Sequence, residues 1–273
     1  MPCKILITND DGIGSSGLLA AYEAVRGLGE VTVVAPATQQ SAVGRSMTLF
    51  EPLRIAKSTI GSTIVYSVNG TPTDSVIIGM YVVMDRKPDL VISGINIGEN
   101  LSAEAATTSG TIGAALEASN QGVPAIAVSM RVLDEGDKFV DTNHIRDYAV
   151  VQRVIRRLAE RVLADGMPAG VDVLNVNVPS NATAETPVVA TSLARRMYDT
   201  RVHHRMDPRG RSYYWIDGTV VEDAPEGTDL HVMMKKGHIS VTPLALDMTA
   251  KADNGRLADM LYEAFGKPTA SGR

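Results

Sequence analysis

Apolar and polar positions follow two alternating spacings in the first half of the chain. Lys4-Ile5-Leu6-Ile7-Thr8 is a short apolar run of the buried-strand type, bounded by a polar turn. From Leu18 to Leu28 the apolar residues Leu18, Leu19, Tyr22, Val25 and Leu28 recur at helical spacing, and Gly29 closes the segment. Val31 to Pro36 reads as a second strand. Such a strand-helix-strand unit predicts a parallel pair with a right-handed crossover. Met47 to Ala56 and Thr63 to Val68 then predict an inserted hairpin, turning near Ile60-Gly61-Ser62. Thr71-Pro72-Thr73-Asp74 opens a helix, with Thr71 as cap, Pro72 in the first turn and Asp74 at the positive end of the dipole.

The alternation resumes with a strand from Asp89 to Ile95 and a long polar loop from Asn96 to Ser109. A helix from Gly110 to Asn120, a strand from Ala125 to Met130, a helix from about Asn143 to Leu163 and a strand from Val171 to Val178 follow. The pattern predicts an α/β fold: a doubly wound, mostly parallel Rossmann-like sheet occupying residues 1–180. Beyond Pro179 the pieces are shorter and β-like (Pro187 to Ser192, Tyr213 to Ile216, His238 to Pro243), with a closing helix from Arg256 to Phe265. Residues 181–273 are expected to form a β-rich C-terminal oligomerisation extension with a projecting arm, part of the same folding unit.

A length of 273 residues suits one α/β core with an appendage. With 44% hydrophobic and 21% charged residues, the composition is that of a globular protein. The balance of 26 basic against 31 acidic residues leaves a net charge of −5, which argues against a nucleic-acid partner. Cys3 is the single cysteine, so neither an intrachain disulfide nor a cysteine-based zinc site is available. The opening Met-Pro-Cys-Lys is too short and polar for a signal peptide. No apolar run approaches the roughly 18 residues of a membrane span. A cytoplasmic protein without membrane contact is expected.

Ligands of open parallel sheets bind beyond the carboxyl ends of the strands, so the candidate chemistry lies in the segments that follow them. The first strand delivers Asn9-Asp10-Asp11-Gly12, the second Gln40-Ser41 through Gly44-Arg45-Ser46, and the strand ending at Ile95 delivers Asn96 to Asn100. Two adjacent carboxylates at a strand end favour a cation, and Gly12 permits the turn that brings them together. Asp10, Asp11, Ser41 and Asn96 offer hard oxygen ligands without imidazole or thiolate, a set suited to Mg²⁺, Mn²⁺ or Ca²⁺. An isolated Asp-Asp-Gly is otherwise an exposed turn with a capping Asp; its place among other oxygen-bearing strand ends tips the reading toward metal. Thr107 to Thr111 reads as an anion cradle at a helix start, although Ser109 or Thr108 also suits plain N-capping. Arg45 can add a positive charge for the same anion, although a lone arginine in a glycine-containing loop is usually just solvated. His203-His204 and Tyr213-Tyr214-Trp215 read as surface, core or subunit contact. G-x-x-x-x-G-K-[ST] does not occur, and dinucleotide-binding and P-loop readings are weak.

These residues resemble the SurE family, the survival-protein 5′-nucleotidases. The likeness opens with Thr8-Asn9-Asp10-Asp11-Gly12 and runs through Val34-Ala35-Pro36, Gln40-Ser41, Gly70-Thr71-Pro72-Thr73-Asp74 and Ser93-Gly94-Ile95-Asn96. It continues with Ser109-Gly110-Thr111, Asn175-Val176-Asn177-Val178-Pro179, Asp207-Pro208-Arg209-Gly210 and Gly227-Thr228-Asp229. The resemblance implies a metal-dependent phosphatase of nucleoside 5′-monophosphates, using one divalent ion, most naturally Mg²⁺ or Mn²⁺. It implies metal ligands at Asp10, Asp11, Ser41 and Asn96, with Asp10, Asp11 and Asn96 catalytic. Asn9, Gly44, Ser46, Asn100, Ser109, Gly110 and Thr111 are implied to line the phosphate pocket, with Arg45 beside them. Arg45 is a departure, since the family usually has histidine there, and a guanidinium is not a proton-transfer group. The family assembles as dimers or tetramers, so a homodimer or homotetramer is expected, with Arg195 to Trp215 as the subunit arm. Two rivals stand beside this reading. One is a nucleotide sensor that binds without turnover; the other uses Asp10 as a covalent nucleophile, which Gly12, two positions on, weakens.

Overall fold

The computed structural model describes residues 2–61, 63–132, 147–250 and 253–266. Eleven strands and seven α-helices are described. In chain order they are β1 (Lys4–Thr8), α1 (Ser16–Val25), β2 (Glu30–Pro36), β3 (Ile55–Ile60), β4 (Thr63–Val68), α2 (Pro72–Ile78), β5 (Leu90–Ile97), α3 (Ser102–Thr108), α4 (Gly110–Asn120) and β6 (Ala125–Met130). There follow α5 (Ala149–Asp165), β7 (Val173–Val178), β8 (Val188–Ala190), β9 (Tyr198–Met206), β10 (Ser212–Val220), α6 (Asp229–Met234), β11 (Ile239–Leu244) and α7 (Asn254–Phe265).

Nine strands form one sheet in the order β3-β4-β2-β1-β5-β6-β7-β11-β8. The six from β4 to β7 are mutually parallel; β3 runs antiparallel on one edge and β11 antiparallel to β7 near the other. From β1 the chain first winds outward to β2 and later returns to lay β5 on the other side of β1. That reversal is the switch point of a doubly wound sheet, and it opens a crevice at the carboxyl ends of β1 and β5.

Alternation along β1 explains the two layers. Ile5 and Ile7 pack with α1 and α5, through Leu18, Ala21, Val25, Val154 and Ile155. Leu6 faces the other way, with Val76 of α2 and Ile112 and Ala115 of α4. Burial of the Ile, Leu and Val side chains in these layers stabilises the fold by about 1.5–3 kcal/mol each. A third, small cluster of Leu101, Ala194, Met197, Leu230 and Met233 joins α6 to the start of α3 and the root of β9.

Several sequence expectations need correction. No strand covers residues 47–54; pairing begins only at Ile55 opposite Val68. The β-forming residues upstream find no neighbouring strand: Thr48 is tied to Asp74 by its backbone N–H and hydroxyl, and Phe50 is 99% exposed. The loop expected from Asn96 to Ser109 contains α3. The helix expected from Asn143 begins at Ala149 within the described residues, and its forecast start lies outside them; so does Ser62 of the forecast hairpin turn. The strand expected over Tyr213 to Ile216 is longer and pairs with β9, which is not among the expected strands. Thr71 caps α2 as expected, in a reciprocal capping box with Asp74.

Candidate active site

The turn after β1 is closed by its own first residue. The Asn9 carboxamide accepts from the Gly12 N–H at 3.2 Å and donates to the Gly12 carbonyl at 3.1 Å. Gly12 has φ +95, and a Cβ there would stand 3.1 Å from the carbonyl carbon of Thr38, so the position requires glycine. The turn sends the two carboxylates in different directions. Asp11 Oδ2 accepts from the Ile97 N–H at 3.1 Å, tying this loop to the end of β5. Asp10 reaches the start of α4, where the Thr111 hydroxyl donates to its Oδ1 at 2.6 Å. Gly110 allows that approach, because a Cβ there would meet the Asp10 Cβ at 2.9 Å. Burial pushes the Asp10 carboxyl above its ordinary value, against the opposing pull of the Thr111 hydroxyl and of backbone N–H groups.

The loop after β2 folds onto the same region. Its Gln40 N–H donates to the Asp10 carbonyl at 2.7 Å, and its Gly44 N–H to the Thr108 carbonyl at 2.8 Å. Arg45 does not point at the helix start. Its guanidinium pairs with Glu117 of α4, Nε and Nη2 each 2.8 Å from Oε2. The Glu117 side chain is fully buried and that of Arg45 is 36% exposed. Ser109 caps α4, its Oγ accepting from the Ile112 N–H at 3.2 Å.

A cleft of about 280 Å³ opens between these loops. Asp10, Asp11, Ser41, Asn96, Asn100 and Ser109 line it, together with Gln39, Glu99 and Thr108. Asn9, Gly44, Arg45, Ser46, Gly110 and Thr111 stand behind or beside that surface: Asn9 and Thr111 are fully buried, and Arg45 is held by Glu117. The donor set fits a hard divalent cation. Among the described residues no group of three or more His, Cys, Asp or Glu gathers to hold a metal, so an ion in this cleft would rest on two carboxylates plus neutral oxygens. Asn96 donates its Nδ2 to the Gly98 carbonyl at 2.7 Å, which fixes the amide so that Oδ1 is the atom left for a ligand. A desolvated Asp10 carboxylate gains from a cation what burial withholds.

A model of the family described as "Survival protein SurE" matches residues 5–200, from β1 to the start of β9. The chain belongs to the SurE family. A SurE relative from Methanocella arvoryzae, named 5′-nucleotidase SurE, is 73% identical over 251 residues, covering 92% of this chain and 94% of the relative. One from Archaeoglobus fulgidus with the same name is 54% identical over 250 residues, covering 92% and 94%. The solved SurE protein from Aquifex aeolicus superimposes with a TM-score of 0.76 at 35% identity, covering 96% of this chain and 99% of that one. The SurE fold thus accounts for the switch-point crevice and the loops around it.

Sequence reasoning gave no role to four fully buried polar residues. Asn175 and Asn177 are fully buried in β7, and Ser129 in β6. Their signal was there in the form of polar residues at alternate positions of an apolar run, Val173-Leu174-Asn175-Val176-Asn177-Val178. Glu117, an acid amid the small and apolar residues of α4, is the same kind of signal. The aromatic run is not core: it is exposed on the β9–β10 hairpin, Tyr214 at 65% and Trp215 at 62%. His204 of the hairpin stacks on Tyr214, ring centroids 5.0 Å apart.

Proposed function

We propose that this chain is a divalent-metal-dependent phosphatase that hydrolyses nucleoside 5′-monophosphates. The observation that carries the proposal is the convergence of Asp10, Asp11, Ser41 and Asn96 in one cleft with the start of α4. The name carried by relatives of this length and identity supports the same activity. Asp10, Asp11, Ser41 and Asn96 would hold one Mg²⁺ or Mn²⁺. Such an ion supplies Lewis-acid polarisation of a phosphoryl oxygen.

The remaining chemistry belongs to the chain's own groups. Thr111 holds the Asp10 carboxylate by its hydroxyl, and Ile97 holds that of Asp11 by its N–H, so both are oriented before substrate arrives. Ser109 and Asn100 on the cleft surface, with Gly110 and Thr111 behind them, bind and orient the phosphate at the positive end of α4. Arg45 contributes to the same region through the loop it anchors on Glu117 rather than by contact with substrate.

The exposed β9–β10 hairpin, with Val202, Met206, Tyr214, Trp215 and Ile216 facing solvent, is the surface through which a homodimer or homotetramer would form. Among the described residues no helix is long and apolar enough to cross a membrane. Phosphate release from AMP, measured with and without added Mn²⁺, tests the function. Metal-dependent release is expected; tight AMP binding with no release would replace the phosphatase with a nucleotide sensor.

A further inference from the structure

Asn100 is gripped from beneath by two buried asparagines of β7. Asn177 uses both halves of its carboxamide on one residue: Oδ1 accepts from the Asn100 N–H at 2.7 Å, and Nδ2 donates to the Asn100 carbonyl at 3.0 Å. Asn175 adds a second donor to that carbonyl at 2.9 Å. The Asn100 side chain is fixed in turn, its Nδ2 donating to Ser129 Oγ at 2.9 Å and to Thr111 Oγ1 at 3.4 Å. Thr111 then donates to Asp10. An unbroken line of hydrogen bonds therefore runs from β7 to the carboxylate at the end of β1.

The sheet puts these groups in a row. Asn96 of β5 is in register with Ser129 of β6, and Ser129 with Asn177 of β7. The cleft wall that leaves β5 at Asn96 crosses over β6 and is held by its backbone on β7. Asn177 already pairs both backbone groups of Asn100, so folding alone gives no reason for the second asparagine. Both asparagines are fully buried in a strand whose other residues are Val and Leu, and Asn175 Oδ1 is buried without a partner among the described residues. A buried acceptor left unpaired is destabilising, and an apolar residue of the same volume removes that penalty.

We infer that Asn175 and Asn177 are positioning residues of the active site, holding Asn100 and the wall from Asn96 to Asn100 in the geometry that receives the phosphate. The inference rests on the phosphatase reading proposed above. The two asparagines touch neither substrate nor metal; they act through Asn100, and a fixed supporting network of this kind is typically worth about 10–100-fold in activity or affinity.

The test compares Asn175→Leu and Asn177→Asp with the parent, by melting temperature, kcat and KM for AMP, the Ki of inorganic phosphate and the Kd for Mn²⁺ measured without substrate. Asn175→Leu keeps the branched shape, adds some volume and removes the unpaired acceptor, while Asn177 still pairs the Asn100 carbonyl; its melting temperature should stay close to the parent's while kcat falls and the Ki of phosphate rises, each about 3–10-fold. Asn177→Asp keeps the acceptor for the Asn100 N–H but sets an oxygen against its carbonyl; kcat should fall about 10–100-fold. Mn²⁺ affinity should stay within about threefold in both, because Asn96, the proposed metal ligand in that wall, is fixed separately by the Gly98 carbonyl and by its register with Ser129. A role confined to stability would lower the melting temperature and leave kcat and Ki unchanged, and that result overturns the inference. If the parent releases phosphate normally and both variants match it, the positioning role fails and the phosphatase stands. A parent that binds AMP without releasing phosphate removes the phosphatase reading and the inference with it.

Discussion

Removing the Arg45 guanidinium leaves Glu117 with its charge in a fully buried site. Breaking a buried ion pair from one side costs about 3–5 kcal/mol. Two features of the structure reduce that figure. The Arg45 side chain is 36% exposed, so part of its interaction is already solvent-screened. Glu117 also keeps the Gln121 Nε2–H at 2.7 Å and the weaker Asn120 contact at 3.4 Å, both on Oε1. The expected loss for Arg45→Ala is therefore about 2–3 kcal/mol, or roughly 4–12 °C in melting temperature for a chain of this size. Replacing both partners, as Arg45→Leu with Glu117→Leu, should restore most of that loss, because two apolar side chains leave no unpaired charge. Urea unfolding followed by circular dichroism, run on the single variants and the double variant, gives the coupling energy, expected near 2 kcal/mol. AMP turnover measured well below the melting temperature separates the roles. With Arg45 committed to Glu117, Arg45→Ala should retain turnover within about tenfold. A stability change under about 0.5 kcal/mol together with an activity loss beyond about 100-fold would refute the reasoning and assign the guanidinium directly to phosphate.

Asp11→Asn keeps an oxygen for the Ile97 N–H but withdraws a negative charge from the cleft; turnover should fall by about 100-fold or more with the fold retained, and near-normal phosphate release at limiting Mn²⁺ would contradict it. Asp89 is held below its ordinary 3.8 by the Arg86 guanidinium and by the Lys4 N–H. Its folded value is depressed, so its stabilisation is present above the unfolded value and is lost as pH falls through the folded one; the stability gap between the parent and Asp89→Asn, read by urea unfolding, should be constant at neutral pH and close below about pH 4, whereas a gap that widens on acidification has the wrong sign. Replacing Tyr214 and Trp215 by Ala removes the two most exposed aromatic rings of β10 and should shift the protein to smaller species in analytical ultracentrifugation at micromolar concentration; unchanged mass, with salt-sensitive DNA binding by the parent, would turn the arm into a nucleic-acid surface.

Local pattern was enough for the elements whose stability is decided by near neighbours. The apolar runs of β1, β2 and β6 could be read directly, as could α4, from Gly110 to Asn120, and the cap of α2 at Thr71, since periodicity and capping involve residues within four positions of each other. The Asp-Asp-Gly turn was legible for the same reason, because Asn9 and Gly12 close it within the tetrapeptide. What tertiary structure decided involves partners far apart in sequence. β9 pairs with no strand of the main sheet and is held only as the partner of β10. The short helices α3 and α6 are held by their surroundings: Asp229 at the start of α6 accepts from the Ser102 N–H at 2.7 Å, 127 residues away. Residues 47–54 have β-forming side chains but no strand beside them. Arg45 is adjacent in sequence to the proposed phosphate loop, yet its charge is taken by Glu117, 72 residues on; Asn100 is gripped from 75 and 77 residues away. A residue's type and spacing fix what it can bind, but which partner it meets depends on the order in which the strands are laid into the sheet.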